Sequence, residues 1–249
     1  MDSPSPPWTE PLILACGPRK GGNSDHAARM VERGLVRAGA RPRLVHLRDH
    51  ALNPCRGCQS CHHAPRNACP LMARDETEAL FGLIKHSAML FFTSPIYFYH
   101  LPGAFKGFID RAQRYYEARL AGDPEILALP ERTAHACLVA GRPRGEKLFE
   151  GSLLTLRYFL WPFNARVGEA LTLPGYDGPG DLSADHQAGE RVSAFAAACW
   201  AARGQRPAGG PDVGKPDGGK SDVDGPGAGK PDAGKLDAGG PDAGGDSAR

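Results

Sequence analysis

Four cysteines stand within fifteen residues, at Cys55, Cys58, Cys61 and Cys69, a C-x2-C-x2-C-x7-C run followed by Pro70. Thiolates this dense can converge on one metal centre, and the first three spacings are those of a [4Fe-4S] ferredoxin-type run with a longer last gap. Zn²⁺ also takes four thiolates but is usually served by two separated C-x2-C knuckles, whereas the triple run suits the corners of a cubane. Metal-free thiols are the third reading. Residues 58–62 also spell the C-x-x-C-H haem attachment motif, which the surrounding cysteines make a coincidence. His62 and His63 read as solvated loop residues. Cys16, Cys137 and Cys199 lie in apolar or Ala-rich stretches and read as inert core thiols.

The second chemistry-bearing stretch is CGPRKGGNS, residues 16–24, in which Arg19 and Lys20 add positive charge to a glycine-rich turn. It lies between an apolar run and a helical pattern, where backbone N–H groups and the helix dipole favour an anion. Gly17 to Gly22 has the glycine spacing of a nucleoside-triphosphate loop, but Asn23 stands where that motif requires Lys. The G-x-G-x-x-G of a dinucleotide turn is absent as well. A terminal monophosphate remains as the ligand, and an ordinary Gly-rich turn as the alternative. Tyr97, Phe98 and Tyr99 form a run of aromatics that cannot all point inward from one strand, so at least one is available to a ligand. Core aromatics beneath a loop are the other reading.

The elements that must position these residues follow from periodicity. Residues 11–16 are an apolar run, and Ala27, Val31, Leu35 and Ala38 then recur at helical spacing. Further strands are expected over 43–47, 88–93, 134–140 and 166–173. A helix is expected to open near Asp75 and Glu76, one helix to run from Ala104 to Leu120, and another to carry Leu148, Leu153, Leu156 and Phe159 on one side. An Ala-rich helix closes the pattern over 185–202. Five strands alternating with helices imply an α/β fold with a parallel sheet covered on both faces. Strand order is not visible in the pattern.

The loop CGPRKGGNS is similar to the GSPRKGGNT-type loop of the NADPH-dependent FMN reductase family of flavodoxin-like proteins. SPIYFYHLPGAFKGFIDR, residues 94–111, resembles that family's second flavin loop. The resemblance covers about residues 11–200 and implies a flavodoxin-like three-layer sandwich with sheet order 2-1-3-4-5 and FMN at the switch between strands one and three. It implies that Gly17, Arg19, Lys20, Gly22, Asn23 and Ser24 surround the phosphate and that Pro95, Ile96, Tyr97 and Phe98 line the ring. Gly141 and Arg142, on the loop after strand four, fall at the same sheet edge, where Arg142 and Arg144 meet flavin or nicotinamide phosphate or stay solvated. Gly17 replaces the family's usual Ser, so one phosphate hydrogen bond is expected to be missing unless the backbone or Ser24 compensates. A compact cysteine motif after strand two resembles the iron-sulfur flavoproteins, which pass single electrons between a [4Fe-4S] cluster and FMN. The resemblance implies NAD(P)H or a ferredoxin-like carrier as donor, a small or protein acceptor, and assembly as a homodimer or homotetramer. The cluster-free alternative is an NAD(P)H-dependent FMN or quinone reductase, and the non-enzymatic one an electron carrier or redox sensor. No catalytic triad or carboxylate pair appears, in keeping with chemistry centred on a flavin.

Composition bounds the rest. A net charge of +2 with mixed signs gives no basic field for nucleic acid. No stretch approaches the roughly 18 apolar residues of a membrane span, and the start lacks a signal-peptide pattern, so a cytoplasmic protein is expected. Seven cysteines in that compartment point to metal or redox work rather than disulfides. The expected divisions are an arm over 1–10, a flavodoxin-like domain over 11–202 with a cysteine insertion at 53–72, and a disordered tail over 203–249. Within the tail, residues 211–245 parse into seven five-residue units such as PDVGK and PDAGG, a composition that cannot build a core.

Overall fold

The computed structural model describes residues 9–203. The expected repeat tail and most of the N-terminal arm lie outside the described residues. The apolar run after Glu10 forms β1 (Pro11–Ala15), followed by α1 (Asn23–Arg37) and β2 (Arg43–His46). The cysteine segment carries the short α2 (Ser60–His63) and a single 3-10 turn (Pro65–Asn67) before α3 (Thr77–Lys85) and β3 (Met89–Pro95). Then come α4 (Gly103–Asp110), α5 (Gln113–Leu120), α6 (Pro124–Leu127), β4 (Arg132–Ala140) and α7 (Glu150–Leu160). The chain closes with β5 (Ala165–Pro174), α8 (Asp181–Ala184) and α9 (His186–Ala201).

All five strands are parallel, in the order β2-β1-β3-β4-β5. The pleat sends alternate residues to two cores. Leu12, Leu14, Leu90, Phe92 and Leu138 face α3 to α7, with Phe81, Phe105, Phe108 and Phe163 filling that layer. Ile13, Ala15, Phe91, Cys137 and Val139 face α1, α8 and α9. This is a flavodoxin-like three-layer sandwich, and the switch between β1 and β3 brings the loops after both strands to one edge. Against that second core, α1 meets α9 so closely that a Cβ on Gly34 would overlap the Ser193 carbonyl, and Ser193 Oγ donates to Met30 O at 3.0 Å. Among the described residues no helix is long and apolar enough to cross a membrane.

One element departs from the expectation. The single helix expected over 104–120 is two, broken at Arg111 and Ala112. Arg111 N–H and Ala112 N–H bond three residues back, to Phe108 O at 3.1 Å and Ile109 O at 2.9 Å, tightening the chain into a turn. The turn sends the Arg111 side chain inward onto Asp75, at 2.6 Å, with both side chains sealed from water. Asp75 therefore precedes α3 as a buried partner and accepts the Thr77 N–H, rather than sitting in the helix's first exposed turn.

Candidate functional site

At the switch point lies a small pocket of about 100 Å³, lined from β1's loop by Arg19, Gly22, Asn23 and Ser24, and from β3's end by Pro95, Ile96 and Tyr97. No side chain caps α1, whose first residues Asn23 and Ser24 line the pocket, and a helix start of this kind offers N–H groups to an anion. The loop is held by its own side chains. Asp25, buried, accepts the Gly21 N–H at 2.8 Å, and Arg48 bridges Asp25 Oδ1 at 2.8 Å to the Gly17 carbonyl at 3.3 Å. Asn23 is also buried, and its amide is already engaged. Nδ2 donates to Tyr176 O and Gly178 O, both at 3.0 Å, while Oδ1 accepts the Leu182 N–H at 3.1 Å. Asn23 thus offers an anion its main-chain N–H, and its side chain instead ties the loop to the segment after β5.

Gly17 takes a specific place in this arrangement. A Cβ there would overlap Ser24 Oγ, so the Ser24 hydroxyl occupies the space that a residue-17 side chain would fill. The pocket fits a phosphate: an uncapped helix start, a cationic loop residue and one hydroxyl converge on it. Its enclosed volume is well below the roughly 300–1,000 Å³ of a site that encloses a whole ligand. Gly17→Ala is expected to push the Ser24 hydroxyl aside and raise the FMN dissociation constant about tenfold, the effect of one charged hydrogen bond. Titration of flavin fluorescence measures it.

The aromatic run forms a tight reverse turn. Tyr97 and His100 exchange N–H···O bonds at 2.9 Å in both directions, and Phe98 and Tyr99 between them have φ of 49° and 64°. That is the backbone of a two-residue turn that favours Asn-Gly, here carrying two bulky rings. Tyr97 lines the pocket, whereas Phe98 stands fully in solvent and does not. Tyr99 is exposed beside the loop after β4, with Arg142 donating to its hydroxyl at 3.3 Å. Lys20 and Arg142 are exposed and do not line the pocket, while Gly141 lines it against Asp177. Phe98→Asn is expected to relieve left-handed strain and stabilise the fold by about 1 kcal/mol, read as a thermal midpoint raised by about 2–4 °C.

A larger cavity of about 660 Å³ lies at the cysteine segment, and Cys55, Cys58, Cys61 and Cys69 all line it. All four thiols are free, the first two exposed and the last two half-buried. Hydrogen bonds from the Ser60 hydroxyl and N–H hold the Cys58 thiol below its ordinary value. Burial, and then the charge of Glu117, push Cys61 up. Gly57 N–H approaches Cys55 Sγ at 3.5 Å. His62 is not simply solvated: its Nδ1 meets Glu117 Oε2 at 2.9 Å on the cavity wall. Among the described residues no three His, Cys, Asp or Glu side chains are grouped closely enough to hold a metal ion. The donor set has the chemistry of a thiolate-bound centre, then, on one wall but not drawn together.

The segment is fastened at Asn53 by the α4–α5 junction and at Asn67 by α5. Arg111 Nη1 donates to Asn53 O at 2.9 Å, and Asp75 accepts the Asn53 N–H at 2.9 Å. Farther on, Arg114 Nε donates to Asn67 O at 3.2 Å, and Asn67 Nδ2 to Cys61 O at 2.9 Å. The other three cysteines are core thiols, as their surroundings suggested. Burial pushes Cys137 and Cys199 up to about 12, and Cys16 well above its ordinary value. Pro18, Val139, Tyr176 and Asp177 also line the phosphate pocket and carry no motif that marks them.

An iron-sulfur flavoprotein of Archaeoglobus fulgidus is 30% identical over 98 residues, covering 39% of this chain and 43% of that protein. One of Methanocaldococcus jannaschii is 27% identical over 100 residues, covering 40% and 50%. The matched region thus spans half or less of the length of these relatives. A flavone reductase shares the fold, with a TM-score of 0.56 at 13% identity over 78% of this chain and 62% of that one. Residues 10–134, half of the chain, match the family described as NADPH-dependent FMN reductase, and the chain belongs to that family.

Proposed function

We propose that the protein is an FMN-dependent oxidoreductase that takes reducing equivalents from NAD(P)H or a reduced ferredoxin-like carrier. It passes them through a [4Fe-4S] centre, held by Cys55, Cys58, Cys61 and Cys69, to a small or protein acceptor. The observation that carries this reading is the presence of four free thiols on the wall of one cavity in a chain that also builds a phosphate pocket at the sheet's switch point. The names of the two curated relatives support it. FMN supplies the flavin chemistry that links two-electron donors to one-electron acceptors.

The residues' own tasks are positional. The N–H groups at the start of α1, with Arg19 and Ser24, would bind the phosphate, and Tyr97 beside Pro95 and Ile96 would orient the ring. Asp25 and Arg48 keep the loop in its binding shape. The Ser60 bonds favour the Cys58 thiolate, the form that ligates metal. A cytoplasmic setting, in which thiols stay reduced, and assembly as a dimer or tetramer belong to the same proposal.

A second reading, an NAD(P)H-dependent FMN or quinone reductase without a cluster, is favoured by the spread of the thiols. Anaerobic purification with iron and sulfide reconstitution separates the two. Broad visible absorption with about four irons per chain supports the first reading. Two resolved flavin bands with no iron, and steady NAD(P)H oxidation with a quinone acceptor, support the second.

A further inference from the structure

From His50 to Arg74 the chain carries the four thiols and the arginines Arg56, Arg66 and Arg74, with no Asp or Glu anywhere in the stretch. All three arginines are exposed, and none of their guanidinium groups has a hydrogen-bond or ion-pair partner among the described residues. Arg56 stands between Cys55 and Cys58 and lines the cysteine cavity. The other charged groups of that wall are committed: Arg111 to Asp75, Arg114 to Glu78, Asp110 to Lys106 and Glu117 to His62. Arg66 precedes Asn67, whose amide holds Cys61 O, and the Arg74 N–H bonds at 3.0 Å to the carbonyl of Leu71, itself a cavity residue. Unmatched positive charge thus runs along the same stretch that exposes the Cys55 and Cys58 thiols. Arg66 and Arg74 do not line the cavity, so the charge extends past its mouth. That breadth suits a protein face better than a small anion held within the wall.

We propose that the cysteine segment is the docking surface for an acidic one-electron carrier protein, anchored by Arg56, and that this carrier is the protein acceptor of the centre bound in the cavity. The proposal rests on the reading of the four cysteines as a cluster site. In the transfer the reduced centre loses one electron and the carrier's metal gains one, with no bond made or broken. Positive charge around the thiols draws in and orients the carrier's acidic face, an effect on association rate that added salt screens.

The test uses the full chain, reconstituted anaerobically with iron and sulfide, reduced with dithionite and freed of the excess. Stopped-flow mixing with an oxidised acidic b-type cytochrome, and separately with a basic c-type cytochrome, gives two second-order rates. For the wild type, the rate with the acidic carrier is expected to fall about tenfold between roughly 10 mM and roughly 200 mM salt. Arg56→Glu is expected to lower that rate about tenfold at the lower salt, and Arg66→Glu and Arg74→Glu about threefold each, with FMN and iron contents as in the wild type. The basic carrier should not slow. Arg29→Glu makes the same change of net charge at an exposed position on α1, across the sheet from α3 to α7, and should leave the rate with the acidic carrier unchanged. A wild-type rate indifferent to salt, an Arg29→Glu as slow as Arg56→Glu, or equal slowing of both carriers overturns the proposal and leaves the cluster reading standing. If Arg56→Glu does not load iron, Arg66→Glu and Arg74→Glu decide in its place, and rates equal to the wild type in both overturn the proposal. A wild type that binds FMN but no iron overturns the cluster reading itself.

Discussion

Cys58→Ser is expected to lower the iron content of the reconstituted protein at least tenfold while FMN content stays at the wild-type level. The Ser60 bonds hold the Cys58 thiol below its ordinary value, which favours the thiolate that a metal site takes. A serine hydroxyl stays protonated near neutral pH and is a hard donor, poorly suited to an iron-sulfur core. The selectivity follows from the layout: the cysteine cavity and the phosphate pocket share no lining residue. Cys137→Ser and Cys199→Ser serve as controls. Both thiols are buried in the α1/α9 core, on the face of the sheet away from α3 to α7, and their loss should leave iron unchanged. Iron and flavin assays on the same samples decide the matter, and iron retained in Cys58→Ser would argue against a four-thiolate site.

The second large effect is on stability. Asp75→Ala leaves the Arg111 guanidinium without its carboxylate in a site closed to water, and is expected to cost about 3–5 kcal/mol. For a domain of this size that lowers the thermal midpoint by on the order of 10 °C. The pair also sets a pH dependence. Burial alone would push the Asp75 carboxyl up, but the Arg111 guanidinium, the Asn53 N–H and the Thr77 donors outweigh it and hold it well below the usual carboxylate range. A depressed folded-state value means the stabilisation is fully present above the unfolded value, about pH 3.9. It is lost progressively as the pH falls through the folded-state value. Urea unfolding followed by circular dichroism at pH 7 and pH 3 should therefore show the gap between wild type and Asp75→Ala narrowing at the lower pH. A gap of constant size would assign the loss to the cavity left by the side chain rather than to the charge.

Much of this architecture is legible because it is local. β1, β3 and β4 stand out as short apolar runs, β2 and β5 less plainly, and α1 and α7 show apolar stripes, since one-sided burial imposes a period that neighbouring residues carry. The split between α4 and α5 left no such trace. The residues on both sides keep a helical period, and the partner that Arg111 meets at the turn, Asp75, lies 36 positions earlier. The phosphate loop was readable as an anion cradle from its glycines and charges. The task of the Asn23 amide was not, because its partners, at 176, 178 and 182, are joined to it only by the fold. The aromatic run allowed that at least one ring is free, and the turn decides which: Phe98 swings out because both central residues adopt left-handed backbone. For the cysteines, spacing identified the donor chemistry, while the placement of the thiols around the cavity depends on clamps from α5 and the α4–α5 junction that spacing does not encode.

The bonds from Asn23 to the segment after β5 also order events during synthesis. The phosphate loop leaves the ribosome among the first parts of the domain, yet the backbone that fixes it is made about 150 residues later, a delay on the order of ten to thirty seconds at ordinary elongation rates. Until Leu182 has emerged, the loop before α1 has only its local bonds, those of Asp25 and Arg48, to hold it. A chain that ends short of that point lacks the three bonds by which the finished domain fixes the Asn23 amide.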